Sequence, residues 1–419
     1  MGNDYTKNRV NIYMKKSTIF IAGLLLAGCS AQETEQEDLN LSESSWEDIT
    51  ETAAGETVRL YMWGGDPGIN SYIDDYAILA LQEKYDVTLE RIPLDTNEII
   101  QKLETEKRAD QDEGTIDLIW MNGENFKRAQ EGDLLFGPFV DEIPSYQEFY
   151  LPEDYEFDFG TATEGYEAPW GKVQFVFNYD TSKIDNPPAT LDELKTWISE
   201  NPGRFTYPEA SDFTGNAFIR HVMLGEAVEA DELLGEPYAP LEEGQAAAMW
   251  DYLNDIEPDL WRGGETYPAS LEELDRLYSQ GEVWMTMGYN EARAESLVRD
   301  GVFPETTESF VLEDPGSIGN THFLSIPYNS PNKEAAMAAI DFFLSPEAQL
   351  EKLQPDYWGE SSPIDLGSLS DEARAGFEEL ERGNTVLDAE VLADAYISEI
   401  DAGYVEWIES EWRNEVAAD

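Results

Sequence analysis

Residues 58–121 alternate between strand-like and helix-like hydrophobic patterns without interruption, and this order constrains the fold more than any other feature. VRLYMW (58–63) reads as a strand, GGDPG (64–68) as a turn and residues 69–84 as a helix. A second strand is expected over 87–92, a second helix over 96–109 and a third strand over 116–121. Strands separated by single helices cannot close as hairpins. They pair in parallel, with the helices covering the faces of the sheet.

A chain of 419 residues exceeds one ordinary core and predicts at least two lobes or domains. Its 88 acidic against 26 basic residues, a formal charge of -62, exclude a nucleic-acid surface. With 11 Trp, 21 Tyr and 18 Phe it is too rich in core-forming side chains to be a disordered acidic chain. Carboxylates dispersed this evenly read as adaptation to concentrated salt. In about 1 M salt the Debye length is about 3 Å, so the bulk charge says little about a ligand and local contacts must decide.

Lys15 and Lys16 precede a run of about a dozen apolar residues ending at Gly28, which is signal-peptide length and too short to span a bilayer. Met14 stands directly before the lysines and is a candidate start. The sole cysteine, Cys29, follows Leu26-Ala27-Gly28. That context resembles the bacterial lipobox, whose cysteine is lipidated and becomes the first mature residue. Acyl chains would hold an exported protein at a membrane surface without a spanning helix. Residues 1–29 are therefore expected to be a lipoprotein signal peptide and the Ser/Glu/Thr-rich residues 30–56 a flexible acidic tether.

Further along, VQFVFNY (173–179) is a long predicted strand. Capping boxes at Thr190/Glu193 and Ser270/Glu273 open amphipathic helices, and VWMTM (283–287) is a further strand. "APWGKVQFVFNYDTSKI" and "GEVWMTMGYNEA" resemble, in order and spacing, hinge-crossing segments of the solute-binding proteins of ABC importers, and "SIPYNSPNKEAAMAAIDFFLSPEAQ" resembles the strand and helix after that family's last crossing. "WGGDPGIN", "IDLIWMNGENF", "LLFGPFVD" and "FTYPEASDFTGNAF" resemble the YnjB-type branch of that family. The resemblance implies an α/β, two-lobed periplasmic-binding-protein-like fold with a hinge and an interlobe ligand cleft. It implies lobe one over 57–172 plus 288–322 and lobe two over 173–287 plus 323–419. It also implies a monomer that takes a small-molecule solute, hands it to an ABC permease, and uses no cofactor.

In open α/β sheets ligands sit at the carboxyl ends of the strands. Trp63, Gly64 and Gly65 end the first strand, and Asn122, Gly123 and Glu124 end the third; each group could equally be turn or cap. A carboxylate at 124 disfavours an anionic ligand. Trp170 and Trp358 are candidate aromatic walls, with core packing as the competing reading. On the other lobe, Asp212, Thr214 and Asn216 form a polar turn before an apolar helix, and Tyr289 and Asn290 follow a predicted strand.

Catalytic patterns are weak. The two histidines, His221 and His322, are isolated, no zinc spacing exists, and Asp110-x-Asp112-x-Gly114 lacks the rest of a calcium loop. No metal site is expected. The alternative is an exported, anchored carbohydrate-active enzyme, for which 88 acids supply carboxylate pairs without discriminating power. The ligand favoured is a neutral or cationic organic solute.

Overall fold

A computed structural model describes residues 44–121, 123–228, 232–233 and 236–417. The leader, Cys29, residues 30–43 and Asn122 lie outside the described residues, as does the side chain of Glu124.

Among the described residues the strands are β1 (Thr57–Met62), β2 (Thr88–Pro93), β3 (Leu118–Met121), β4 (Phe157–Asp158), β5 (Thr161–Ala162), β6 (Glu167–Gln174), β7 (Val176–Asp180), β8 (Met285–Gly288), β9 (Thr307–Phe310), β10 (Ser317–Ser325) and β11 (Tyr396–Ser398). The order β11-β10-β3-β1-β2 forms the large sheet, with β6 also paired to β10. β1 is parallel to both β2 and β3, as the alternating pattern of the first 120 residues demands. A second sheet, β8-β7-β9, is antiparallel throughout.

Two large cores give the two lobes. The first gathers residues of 49–170 and 323–377, the second residues of 175–318 and 397–416. β6 and β7 are separated only by Phe175, and this stretch carries the chain from one core to the other. β10 returns antiparallel beside β6, with Ile318 in the second core and Phe323 and Leu324 in the first. The chain crosses a third time between Phe377 and Ile397.

This packing exchanges two of the predicted segments. Residues 288–312 remain in the second lobe, because β9 pairs with β7 through Phe177 opposite Phe310 and buries Phe303 and Leu312. Residues 323–377 belong to the first lobe. Helix Lys333–Leu344 is buried along ten of its residues and fills that core, where each large apolar side chain is worth about 1.5–3 kcal/mol. The stretch GEVWMTMGYNEA is therefore not a crossing, whereas β10 is.

The predicted tether also ends earlier than its composition implies. Trp46–Ala53 is a helix closed by a Ser45/Asp48 capping box, and Ile49 and Ala53 enter the first core. Trp46, Ile49 and Ala53 share one helical face, a periodicity that the acidic composition obscures.

Candidate ligand cleft

A cleft of about 570 Å³ opens between the lobes. The first lobe contributes Trp63 after β1, Asp66 and Ile69 at the next helix start, residues 95–98 after β2, Trp120 of β3, and Asn125. The second contributes Asp212 to Thr214, Leu271, Glu272, Tyr289, Asn290 and Arg293. Strand ends and helix starts converge here because each parallel strand must hand over to a helix at the same edge of the sheet.

Of the predicted residues, Trp63, Asp212, Thr214, Tyr289, Asn290 and Trp358 line this cleft. Trp63 is 40% exposed and stands edge-on to Trp120 at 6.5 Å. Across the cleft Phe213 is 43% exposed and packs on Tyr289 at 5.1 Å. Two aromatic faces left this open on opposite lobes are unusual for core-forming side chains and suit a stacked ligand.

Asp212 caps helix Phe213–Glu226: Oδ1 accepts from the Thr214 and Gly215 N–H groups, and Oδ2 accepts from Leu271 N–H at 3.2 Å. Burial raises its pKa against those bonds. Its carboxylate thus ties two helix starts together at the cleft wall. Asn290 adopts a left-handed conformation, φ +64°, and its Oδ1 accepts from Ala292 N–H, which turns the chain sharply after β8. The Tyr289 hydroxyl donates to Glu399, and Arg220 Nη2 bonds both, at 3.0 Å to Tyr289 and 2.9 Å to Glu399.

The remaining predictions need correction. Trp170 is 0% exposed and wedged among Trp120, Phe343 and Trp358, so it is core. Asn216 is buried within its helix; its amide donates to Ala210 and Val405 carbonyls while its Oδ1 accepts from Arg220. Gly64 and Gly65 are not among the lining residues, and Gly65 lies against the Trp63 ring, where a Cβ would sit 2.2 Å from Cζ2. Gly123 turns away as well: its N–H donates to Asp158 at 2.6 Å, and its φ of +57° with the Phe159 ring alongside leaves no room for a side chain.

Asn125 balanced between helix cap and ligand contact in sequence, and sequence reasoning missed residues 95–98, Phe213, Arg293, His322 and Glu360. The signal for residues 95–98 was present, since Asp95 is the N-cap of helix Thr96–Arg108 at the end of β2. His322 and Glu360 carried none. Glu360 is completely buried, with Lys352 Nζ 3.6 Å from Oε1 and His322 Nε2 3.5 Å from Oε2, beneath Trp358 and Trp120. Gly171 makes room for it, since a Cβ there would meet Glu360 Oε1 at 1.8 Å. Burial raises the Glu360 carboxyl to about 8 and lowers the His322 imidazole to about 3, the latter also repelled by Lys352.

The electrostatic balance of the cleft is negative. Asp66, Asp95, Glu98, Asp212 and Glu272 face a single arginine, Arg293, already paired to Asp275, while buried Glu360, its carboxyl raised to about 8, is largely protonated at neutral pH. Helix starts oppose this with about half a positive charge each, which five carboxylates outweigh. Among the described residues no three His, Cys, Asp or Glu side chains could together hold a metal ion, and no helix is long and apolar enough to cross a membrane.

The model of the bacterial extracellular solute-binding protein family matches residues 76–371. The chain is a member of that family. This solute-binding protein is 33% identical to Protein YnjB of Escherichia coli (strain K12) over 371 residues, 88% of its length and 93% of the relative's. Its fold matches the spermidine/putrescine ABC transporter substrate-binding protein PotD of Streptococcus pneumoniae, with a TM-score of 0.60 at 18% identity, covering 86% of this chain and 99% of that one. It also matches the Tp0655 lipoprotein of Treponema pallidum, with a TM-score of 0.60 at 16% identity and coverage of 86% and 99%. The solute-binding protein therefore has the two-lobed periplasmic binding fold, and the family it belongs to is one of extracellular solute-binding proteins.

Proposed function

We propose that this solute-binding protein is a lipid-anchored monomer that closes its two lobes around an organic cation and delivers it to an ABC permease. The observation that carries this reading is the cleft itself: exposed Trp63 and Phe213 on opposite lobes, surrounded by five carboxylates and a single, already paired arginine. Aromatic faces attract cations by about 0.5–2 kcal/mol each, more when desolvated, and closure removes the water. The anchor rests on Leu26-Ala27-Gly28-Cys29 after an apolar run of signal-peptide length. A Treponema pallidum protein of the same fold is a lipoprotein, and an S. pneumoniae one belongs to a spermidine/putrescine transporter, both in keeping with this reading.

A thermal-shift screen of spermidine, thiamine, glucose and phosphate compounds tests the ligand class. A ligand at 100 times its dissociation constant stabilises the fold by about 2.7 kcal/mol. Organic cations should give the largest shifts, and Trp63→Ala should weaken the selected cation at least tenfold while leaving the unliganded melting temperature within a degree. Tightest binding by a phosphate compound rejects the cation reading. Turnover of a sugar substrate rejects the transport role.

A further inference from the structure

A second cavity, of about 240 Å³, lies beside hinge strand β10, enclosed by the segment carrying β4 and by β11 with the residue that follows it. Asp158, Asn320 and Glu399 line its interior, and Glu153, Asp154 and Glu156 its more exposed side. Among the described residues no lysine, arginine or histidine lines it.

Acidity alone would mean little in a chain this acidic. The informative feature is a set of buried polar atoms with nothing to bond. Asn320 is 4% exposed, and both its amide nitrogen and its amide oxygen lack a hydrogen-bond partner among the described residues. Glu399 is divided: Oε1 takes bonds from Arg220 and Tyr289, whereas buried Oε2 takes none. Asp158 receives one bond, from Gly123 N–H, and neighbouring Glu167 has two buried oxygens without partners. Buried carboxylates are retained when something compensates their charge, and among the described residues no lysine, arginine or histidine besides Arg220 is ion-paired with Asp158, Glu167 or Glu399. Burial accordingly raises the carboxyls of Asp158, to about 8, and of Glu167.

We propose that this cavity binds a hydrated divalent cation through Glu399 Oε2, the Asn320 amide oxygen and Asp158, separately from the solute cleft. The described acids do not converge tightly enough to chelate a bare ion. A cavity of 240 Å³ has room for roughly eight waters at about 30 Å³ each, so the ion keeps most of its inner shell, as Mg²⁺ does when one or two carboxylates hold it. The site communicates with the solute cleft through one side chain. Tyr289 lines the solute cleft and donates to the oxygen of Glu399 opposite the one that faces the ion. An ion that fixes Glu399 fixes the Tyr289 hydroxyl, so ion and solute binding are linked, and linkage is reciprocal.

The test is a titration of the full exported chain with Mg²⁺ alone, at constant ionic strength, following the thermal midpoint. Wild type should show a saturable rise, and Asp158→Asn/Asn320→Ala should reduce the apparent Mg²⁺ affinity at least tenfold while still melting cooperatively. An equal Mg²⁺ response in the variant, or the same response to NaCl at matched ionic strength, overturns the proposal. Should the variant fail to fold, crystals of wild type grown with Mn²⁺ decide the matter. An anomalous peak between Asn320 and Glu399 supports the site, and peaks only on surface carboxylates reject it.

Discussion

His221 shows a structural role that its isolation in sequence does not reveal. It is buried in helix Phe213–Glu226, where Nδ1 lies 2.7 Å from the Ala217 carbonyl and Nε2 accepts from Ile318 N–H at 3.0 Å. The ring thus pins hinge strand β10 to the second lobe as a neutral imidazole, and burial lowers its pKa to about 3. The unfolded chain takes up a proton near pH 6.5 that the folded chain refuses. Stability is therefore fully present above about 6.5 and is lost as pH falls toward 3, by about 2 kcal/mol at pH 5. His221→Gln should remove that increment: urea unfolding at pH 7 and pH 5 should show the variant losing about 2 kcal/mol less than wild type. An identical pH dependence in both proteins would falsify the neutral buried histidine. Glu360 acts in the opposite sense, its raised pKa weakening the fold as pH climbs from the ordinary carboxyl range through about 8. The role of Glu360 was illegible in sequence because its environment is built by Gly171, His322 and Lys352, from β6, β10 and the helix Pro346–Lys352.

At the scale of elements, periodicity and caps identified the strands and helices of residues 58–121 and several of the longer helices beyond, but not their partners. Helix Lys333–Leu344 is a clear case. Its apolar run predicts burial, yet its lobe is set by contacts across nearly 200 residues. Asp341 Oδ1 accepts from Ser145 N–H at 2.8 Å, and Oδ2 takes bonds from Lys84 at 3.3 Å and from Tyr85. One carboxylate thus joins this helix to two other helices of the first lobe. Asp341→Ala would leave the buried Ser145 N–H without a partner, at a cost of about 1–3 kcal/mol. Chemical denaturation should show that loss with an unchanged m-value, and a change below about 0.5 kcal/mol would mean the carboxylate is replaceable by water. A strand pattern likewise cannot reveal that β9 pairs with β7, and the family resemblance had placed residues 288–322 in the other lobe.

At the scale of the whole molecule, the excess of carboxylates acts through self-repulsion rather than through recognition. With 88 acidic against 26 basic residues, mutual repulsion opposes compaction and is screened over about 10 Å at 0.1 M salt but about 3 Å at 1 M. The melting temperature should therefore rise by several degrees between about 0.1 M and 2 M NaCl. A flat or falling salt dependence would show that the acids are spaced widely enough not to repel. The sequence by itself determined what depends on neighbours along the chain: the β-α-β order that forces a parallel sheet, the Ser, Thr and Asp caps, the apolar run before Cys29, and the net charge. Tertiary structure alone decided which segments share a lobe, and that Trp170 is core while Trp63 and Phe213 face the cleft. It also decided that Glu399 stands between two cavities. The reason is physical. Alternation and helical period tell a side chain's face, but whether that face meets core, solvent or ligand depends on pairing partners hundreds of residues away.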